Sequence, residues 1–503
     1  MNPKLPTNTL LPALVWVVAL IPWLNPYAGG PSPGVLPWLV TIFCICLLWL
    51  SKRFSITNDF AATLLLAGIL SSLIGLLQYF GNTGFFEPWI NHTKLGEAFA
   101  NLRQRNQFAT LTNLALAAVI WLATSRQFSH LVPGRDRWLS AVLGCVLALG
   151  NAASQSRTGI AQLVLVCVLC AVWGLWRRAD VRNILIAAVV TYAVAAFVLP
   201  ILGGFDLSTF GIAARLREGD QPCASRITLW SNVLHLIALK PWLGWGWGEL
   251  DYAHFITLYN QPRFCDILDN AHNLPLHLAV ELGVPAAVVI CGGFLWWVVR
   301  QKPWAERDAT RQMAWAVMAV ILLHSMLEYP LWYGPFQMAF GVCVTLLWRQ
   351  KQSLEAKNTL KRASNWPIAL ILRAQAALIL VAFVGYAAWD YRRISQIYLP
   401  PESRAAAYRT DTLNKIRDSW LFTDQVQFAE LLTSPLTSAN ALWTFNTAMH
   451  LLHYSPEPRV IEKLVESAVL LGNDDDALAY LARYRAAFPE EHMRWAQAQM
   501  NRL

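Results

Sequence analysis

Runs of about 16 to 22 apolar residues recur along the first 390 positions of this 503-residue chain, and such runs are long enough to cross the hydrocarbon core of a bilayer with modest tilt. They are read at 9–25, 33–50, 58–80, 106–125, 138–153, 158–176, 183–204, 283–300, 311–327, 333–348 and 367–389. That predicts an all-α polytopic integral membrane protein of about 11 transmembrane helices, the fifth, ninth and tenth being short. Composition agrees: hydrophobic residues make up 56% and charged residues 14%, against roughly 45–50% and about 25% in soluble chains. With 24 Trp and a mean hydropathy of +0.38, this excludes a disordered chain, a disulfide-dense mini-protein and an ordinary cytosolic enzyme. The length alone would have suited about three soluble domains.

The net charge of +9 would suit a nucleic-acid partner, but the position of the charges decides. With the N-terminus in the cytoplasm, Lys4, Lys52, Arg53, Arg126, Arg135, Arg137, Arg177, Arg178, Arg182, Arg300, Lys302, Arg307, Arg311, Arg349, Lys351, Lys357, Lys361 and Arg362 all fall on one side. The short loops opposite hold four basic residues, Lys94, Arg103, Arg105 and Arg157. The positive-inside rule then sets N-in, and an odd helix count sets C-out. The first span lacks an A-x-A-like exit and reads as a retained helix rather than a signal peptide.

Two larger segments face outward, a loop at about 205–282 and a tail from about 390 to 503. The tail holds 12 Lys/Arg and 14 Asp/Glu and no apolar run. Its patterns are helical, and Ala477 lies twelve residues before Pro489, an offset seen in tetratricopeptide helix pairs. The tail is read as a small helical domain, with such repeats as one form of it. Seven cysteines lie in spans as small hydrophobes. Cys223 and Cys265 alone lie in the outward loop; in an oxidising compartment they pair to close it, with two free thiols as the alternative.

Polar residues gather at the outward ends of the spans. The clusters are Arg103-Gln-Arg105-Asn106-Gln107, Ser154-Gln-Ser156-Arg157-Thr158-Gly159, Arg215-Leu-Arg217 followed by Ser225-Arg226, Asp269-Asn270-Ala-His272-Asn273, and His324-Ser-Met-Leu-Glu328-Tyr329-Pro330. Arginines on the side where cations are rare are either snorkelling or holding an anion. Guanidinium binds phosphate bidentately and stays charged at physiological pH, so Arg105, Arg157 and Arg226 suit a diphosphate without a metal. Beside it, His272 is either a general base for an attacking hydroxyl or a donor to phosphate, with an incidental loop histidine as the plain alternative. His277 and Glu281 are four apart, as are His324 and Glu328; the first pair reads as a local hydrogen-bonded pair, the second as a functional site or a polar plug at a helix end. The lone Cys167–Cys170 spacing sits inside a span and no HExxH occurs, so no metal is expected. No P-loop or GxGxxG follows a strand, which argues against nucleotide-driven transport. The run Lys240-Pro-Trp-Leu-Gly-Trp-Gly-Trp-Gly248 is an interfacial belt or a wall for a sugar or isoprenoid.

RQRNQF (103–108), SQSRTG (154–159), SRITLW with PWLGWGWG (225–248), AHNLPLHLAVELG (271–283) and HSMLEYPLWY (324–333) together resemble the bacterial O-linked protein oligosaccharyltransferases of the PglL (pilin-glycosylating) type, relatives of O-antigen ligases and polymerases. The motifs cover about positions 100 to 335, and the tail is short for that family. The resemblance implies a GT-C-like transmembrane catalytic domain at 1–389, with a periplasmic loop at about 205–282, and a periplasmic helical domain at 390–503. It implies a multi-pass protein of the inner membrane, transferring a glycan from undecaprenyl diphosphate to Ser or Thr hydroxyls of a periplasmic acceptor protein such as pilin. The lipid-linked glycan is the co-substrate, and no cofactor, metal or nucleic acid takes part. Arg157, Arg226 and His272 match the arginines and the essential histidine of such enzymes, and Arg105 and Asn106 lie in their Gln-Arg-Asn element. Arg103, Asn273, Arg215, Arg217, His324, Glu328 and Tyr333 complete the expected substrate-binding set.

The reaction expected is a single inverting displacement in which arginines stabilise the charge of the leaving group. An O-antigen ligase acting on lipid A core is the nearest rival, and a polymerase is a further one. A non-enzymatic lipid-linked sugar transporter would place charge through the bilayer midplane, whereas here the spans are nearly free of it apart from Arg373.

Overall fold

The computed structural model describes residues 7–51, 56–127, 136–218, 222–355 and 366–501, and every regular element among them is helical. The first seven helices are α1 (Thr7–Leu24), α2 (Val35–Leu50), α3 (Asn58–Tyr79), α4 (Arg105–Thr124), α5 (Asp136–Ser154), α6 (Arg157–Val172) and α7 (Ala179–Leu202). Four shorter ones follow, α8 (Ile212–Glu218), α9 (Arg226–Leu239), α10 (Leu250–Ile256) and α11 (Leu274–Leu282). Then come α12 (Val284–Gln301), α13 (Ala309–Ser325), α14 (Gly334–Glu355) and α15 (Trp366–Ile394). The tail holds α16 (Thr412–Ile416), α17 (Thr423–Thr433), α18 (Ala441–Leu451), α19 (Pro458–Leu470), α20 (Asp474–Ala487) and α21 (Pro489–Met500).

Each apolar run read from the sequence falls in one of the helices α1 to α7 or α12 to α15. Among the described residues six stretches are long and apolar enough to cross a membrane: Asn58–Tyr79, Arg105–Thr124, Arg137–Ser154, Ala179–Leu202, Val284–Ala305 and Ile371–Tyr398. The chain is a multi-pass membrane protein on that ground. Of the basic residues assigned to the cytoplasmic side, Lys4, Lys52, Arg53, Arg135, Lys357, Lys361 and Arg362 lie outside the described residues.

The chain forms two compact units. The first comprises Met1–Ala28, Pro33–Glu218 and Val298–Gly385. Its centre is α4, with 89% of its apolar stretch buried and α3, α5, α6 and α13 packed around it. The sequence of α4 suits that place because its polar residues are small and satisfy themselves within the bundle. Thr112 donates to the Ala109 carbonyl at 2.7 Å, and Asn113 to Ala109 at 3.0 Å and to Gly159 on α6 at 3.1 Å. Such groups have no water to bond in an apolar interior and must be paired there. Small residues also bring helices close: a Cβ on Gly150 of α5 would stand 3.0 Å from the Ser72 Cα of α3.

The second unit comprises Gly29–Ser32, Gly219–Trp297 and Tyr386–Leu503. A disulfide joins Cys223 to Cys265 across 42 residues, with Cα atoms 5.3 Å apart. Between and beyond them Leu229, Val233 and Leu236 of α9 pack with Leu250 and Ala253 of α10, Phe264, Leu268 and Val280. A second core is built by α17 to α20, through Phe428, Leu451, Ile461, Leu464 and Tyr484. Phe255 of α10 belongs to that tail core, flanked by Tyr252 and Ile256. This differs from the linear division at 389/390: residues 219–297 cluster with the tail instead of with the spans. The physical reason is that α10 has two apolar faces and the tail supplies the partner for one. In the tail, α20 ends before Pro489, which opens α21, and Ala477 is buried.

Within α11, His277 Nε2 and Glu281 Oε2 lie 3.5 Å apart and both side chains are buried. Burial pushes the Glu281 carboxyl up to about 7 and holds the His277 imidazole down at about 4, with His272 adding to the lowering. The two act oppositely with pH. Glu281 keeps its proton longer folded than unfolded, so its contribution is full below 4.5 and lost as pH rises through 7. His277 stays neutral when folded, so its contribution is full above 6.5 and lost as pH falls through 4.

Two predictions follow from this packing. Gly150→Val forces α3 and α5 apart and is expected to cost about 1–3 kcal/mol, read as a lower melting temperature in detergent; an unchanged melting curve would contradict the close approach. Relative to the parent, the melting temperature of His277→Gln is expected to fall as pH rises across the window from 4.5 to 6.5, and that of Glu281→Gln to rise. Identical pH slopes in all three proteins would count against the buried pair.

Candidate functional site

In the first unit, three of the sequence motifs meet at one polar seam. The turn after α5 brings Ser156 to the N-cap of α6, where its hydroxyl accepts from Gly159 N at 2.9 Å, so Arg157 is the first residue of that helix. The same hydroxyl donates to Asn106 Oδ1 at 2.6 Å. Asn106 Nδ2 donates to Glu328 Oε1 at 3.1 Å, and Gln104 Nε2 donates to Glu328 Oε2 at 3.1 Å. Glu328 is thus a nearly buried carboxylate whose two oxygens hold the start of α4 and, through Asn106, the start of α6. Gln104 and Ser156 lie inside their motifs, where nothing in the sequence marks them apart from their neighbours.

His324 is fully buried. Its Nδ1 lies 2.9 Å from Thr110 Oγ1. That hydroxyl donates to the Asn106 carbonyl at 2.7 Å and accepts from Gln162 Nε2 at 2.8 Å. With its one proton committed, it accepts from His324, so Nδ1 carries the ring proton. His324 thus lies inside the bundle, where it links α13 to α4. An apolar interior demands such pairing of any imidazole placed there.

The arginines divide. Arg105 NH2 pairs with Glu97 Oε1 at 2.6 Å; Glu97, an acid in the preceding loop, carried no signal in the sequence. Arg103 donates to the Pro26 carbonyl, and burial lowers its guanidinium pKa, opposed by the Tyr333 phenol. Arg215 NH1 donates to the Gln155 carbonyl at 2.8 Å, buttressing the turn that presents Arg157. Arg217 is exposed and Arg157 half-buried. Tyr333 stacks on Tyr329, ring centroids 5.9 Å apart.

In the second unit, Ser225 caps α9 by accepting from Thr228 N at 3.2 Å, which makes Arg226 the first residue of that helix. One turn on, Trp230 Nε1 donates to the Ala271 carbonyl at 3.1 Å. The structure thereby joins the start of α9 to the His272 loop. Asn270 Oδ1 accepts from His272 N at 2.9 Å, and the Asn270 carbonyl lies 3.0 Å from His272 Nδ1. Asn273 caps α11 by accepting from Leu276 N at 3.2 Å, a helix-positioning role. A backbone carbonyl only accepts, so His272 Nδ1 bears a proton. Neither Trp230 nor Asn270 was among the sequence candidates as a supporting residue.

Arg103, Gln155 and His272 adopt left-handed backbone, with φ of 61°, 53° and 51°. For a non-glycine residue this costs of order 1–3 kcal/mol and gathers at functional sites; here three motifs each hold one. Among the described residues no group of three or more His, Cys, Asp or Glu is assembled as a metal site would need.

Three family models match parts of the chain. The model described as protein glycosylation ligase matches residues 98–123, that described as O-antigen ligase residues 139–291, and that described as virulence factor membrane-bound polymerase, C-terminal, residues 312–502. Two curated relatives come from Acinetobacter baylyi. A ComP-specific O-oligosaccharyltransferase is 23% identical over 337 residues, 65% of this chain and 58% of the relative. A general O-oligosaccharyltransferase is 24% identical over 322 residues, 61% of this chain and 53% of the relative. The match thus spans little more than half the length of each relative. The motif RQRNQF lies in the first matched segment, SQSRTG, SRITLW and the His272 loop in the second, and HSMLEYPLWY in the third. In the segments that carry those motifs the chain is thus similar to bacterial O-oligosaccharyltransferases and O-antigen ligases.

Proposed function

We propose that this protein transfers a glycan from an undecaprenyl-diphosphate donor to Ser or Thr hydroxyls of periplasmic acceptor proteins of the pilin kind. The observation that carries the reading is the state of His272. Its Nδ1–H is spent on the Asn270 carbonyl at 3.0 Å, so Nε2 is the basic nitrogen, and the loop holding it is tied to the helix that Arg226 opens. In the proposed step the acceptor oxygen attacks the anomeric carbon as its proton passes to His272 Nε2. The bond from that carbon to the diphosphate oxygen breaks, undecaprenyl diphosphate leaves, and the anomeric configuration inverts. Arg226 is assigned to the negative charge that grows on the leaving group, a role in which preorganised donors usually supply the largest part of catalysis, and Arg157, in the first unit, is expected from its motif to bind an anion. No metal enters this scheme. Arg105, paired with Glu97, and Glu328 are assigned to holding Arg157's surroundings in place.

The match of residues 139–291 to a model described as O-antigen ligase supports one second reading, with the same donor and lipid A core as acceptor. Co-expression with a lipid-linked glycan pathway and candidate pilins separates the two: intact mass of the pilins reports protein transfer, and the lipopolysaccharide profile reports ligation. Modified pilin with unchanged lipopolysaccharide is expected; the reverse would transfer the proposal to the ligase.

In that assay His272→Ala and Arg226→Ala are each expected to lower glycosylation by about 10²–10⁴-fold at unchanged abundance in the membrane. Normal acceptor modification in His272→Ala would refute its role as base. Glu328→Ala removes both acceptors for Gln104 and Asn106, at about 1.5–3 kcal/mol for each bond to the charged group. It is expected to lower melting temperature and activity together, whereas Glu328→Gln, which keeps one carbonyl acceptor, recovers part of both. Equal behaviour of the two variants would count against the hydrogen-bonded role.

A further inference from the structure

The segment Lys240–Gly248 takes no part in the chemistry proposed above, yet its backbone is fixed with unusual firmness. Trp245 N donates to the Val280 carbonyl at 2.9 Å, Gly246 N to the Glu281 carbonyl at 3.0 Å, and Val284 N to the Pro241 carbonyl at 2.8 Å. Gly244 and Gly283 both have positive φ, 70° and 88°, and lie backbone against backbone: a Cβ on Gly244 would stand 2.7 Å from Gly283 N, and one on Gly283 2.9 Å from Leu243 N. The turn is therefore welded to the junction of α11 and α12.

Its side chains are not used to fill the core. Trp245 packs inward, its indole nitrogen bonded to the Leu236 carbonyl at 3.0 Å, and the Trp247 ring meets that of His277 edge-on, centroids 6.2 Å apart. Trp242 is 76% exposed, Leu243 85% and Trp247 63%. Exposed apolar groups gathered on one short turn mark a surface that meets something apolar. What lies beside it identifies the partner. The stretch beginning at Val284 is long and apolar enough to cross a membrane and only 6% of it is buried in the protein, so its surface faces lipid. Val284 is the residue hydrogen-bonded to Pro241, which places the turn at the very end of a span, where hydrocarbon gives way to water.

We propose that the Pro241–Trp247 turn is a membrane anchor: Trp242, Leu243 and Trp247 enter the bilayer at its boundary with water and continue the lipid-facing surface of α12. Tryptophan suits that boundary, having an apolar ring with a polar edge. Lys240, whose Nζ lies 4.0 Å from the Trp245 ring centre, then stands level with the headgroup phosphates. The anchor fixes the depth of α11, and with it the His272 loop that precedes α11, relative to the lipid surface. This inference does not depend on which acceptor or reaction the protein serves.

Spin labels on the full-length protein in phosphatidylethanolamine–phosphatidylglycerol vesicles test it. Leu243→Cys and Trp247→Cys are labelled separately, with the partly exposed Cys145, Cys167 and Cys291 replaced by Ala. Leu442→Cys, on a 62% exposed site of α18 in the same unit, is the water-facing reference. Labels at 243 and 247 are expected to collide several-fold more often with oxygen, and several-fold less often with a water-soluble nickel chelate, than the label at 442. Collision rates with the chelate equal to those at 442 would overturn the proposal, and would leave the assigned reaction untouched.

Discussion

A carboxylate removed from water must be surrounded by donors or it is expelled, and Glu328 meets that demand with Gln104 and Asn106. Because those donors begin α4, and Asn106 in turn accepts from the Ser156 hydroxyl that caps α6, one satisfied carboxylate fixes where two helices start. The arginine at the head of α6 inherits its position from that arrangement. Below it the same rule recurs with His324, Thr110 and Gln162, so the seam is a continuous ladder of paired groups in an otherwise apolar bundle. Such networks set a unique geometry when every member is satisfied.

Two of the motif histidines, His324 and His272, illustrate how one chemical habit serves different ends. Both spend the Nδ1 proton on an oxygen of the protein, His324 on a threonine hydroxyl and His272 on a backbone carbonyl. His324 is wholly buried, while His272 is half-exposed in a loop. Burial turns the first into a fastener. The second stands half-exposed, and its backbone, φ 51°, is held by Asn270 on one side and the capped start of α11 on the other.

The apolar runs were legible because a bilayer leaves a long hydrophobic stretch only one economical backbone form, a helix with its own hydrogen bonds. Their boundaries agree with the structure to within a few residues except where polar residues continue a helix, as α14 does to Glu355. The motifs were legible as clusters, and Arg157, Arg226 and His272 indeed stand at helix starts or in a constrained loop. What the sequence hid were relations between distant residues. Nothing in RQRNQF shows that Arg105 is spoken for by Glu97, nor that Arg215 braces the turn at Gln155. Local patterns report which face of a helix is apolar, not which remote segment covers it, and so the alliance of α10 with the tail was invisible.

That alliance has a consequence for how the molecule is made. Phe255 sits in a core whose other walls are α17 to α20, and those helices leave the ribosome after every one of the apolar helices α1 to α7 and α12 to α15. Until they emerge, α10 has an uncovered aromatic face and the loop that leads to His272 is only half supported. Assembly of the second unit thus waits for α17 to α20 to be made and is not timed by insertion of the spans that flank the loop. A chain released early would carry every motif residue of the chemistry and still lack the frame that holds the histidine in its place.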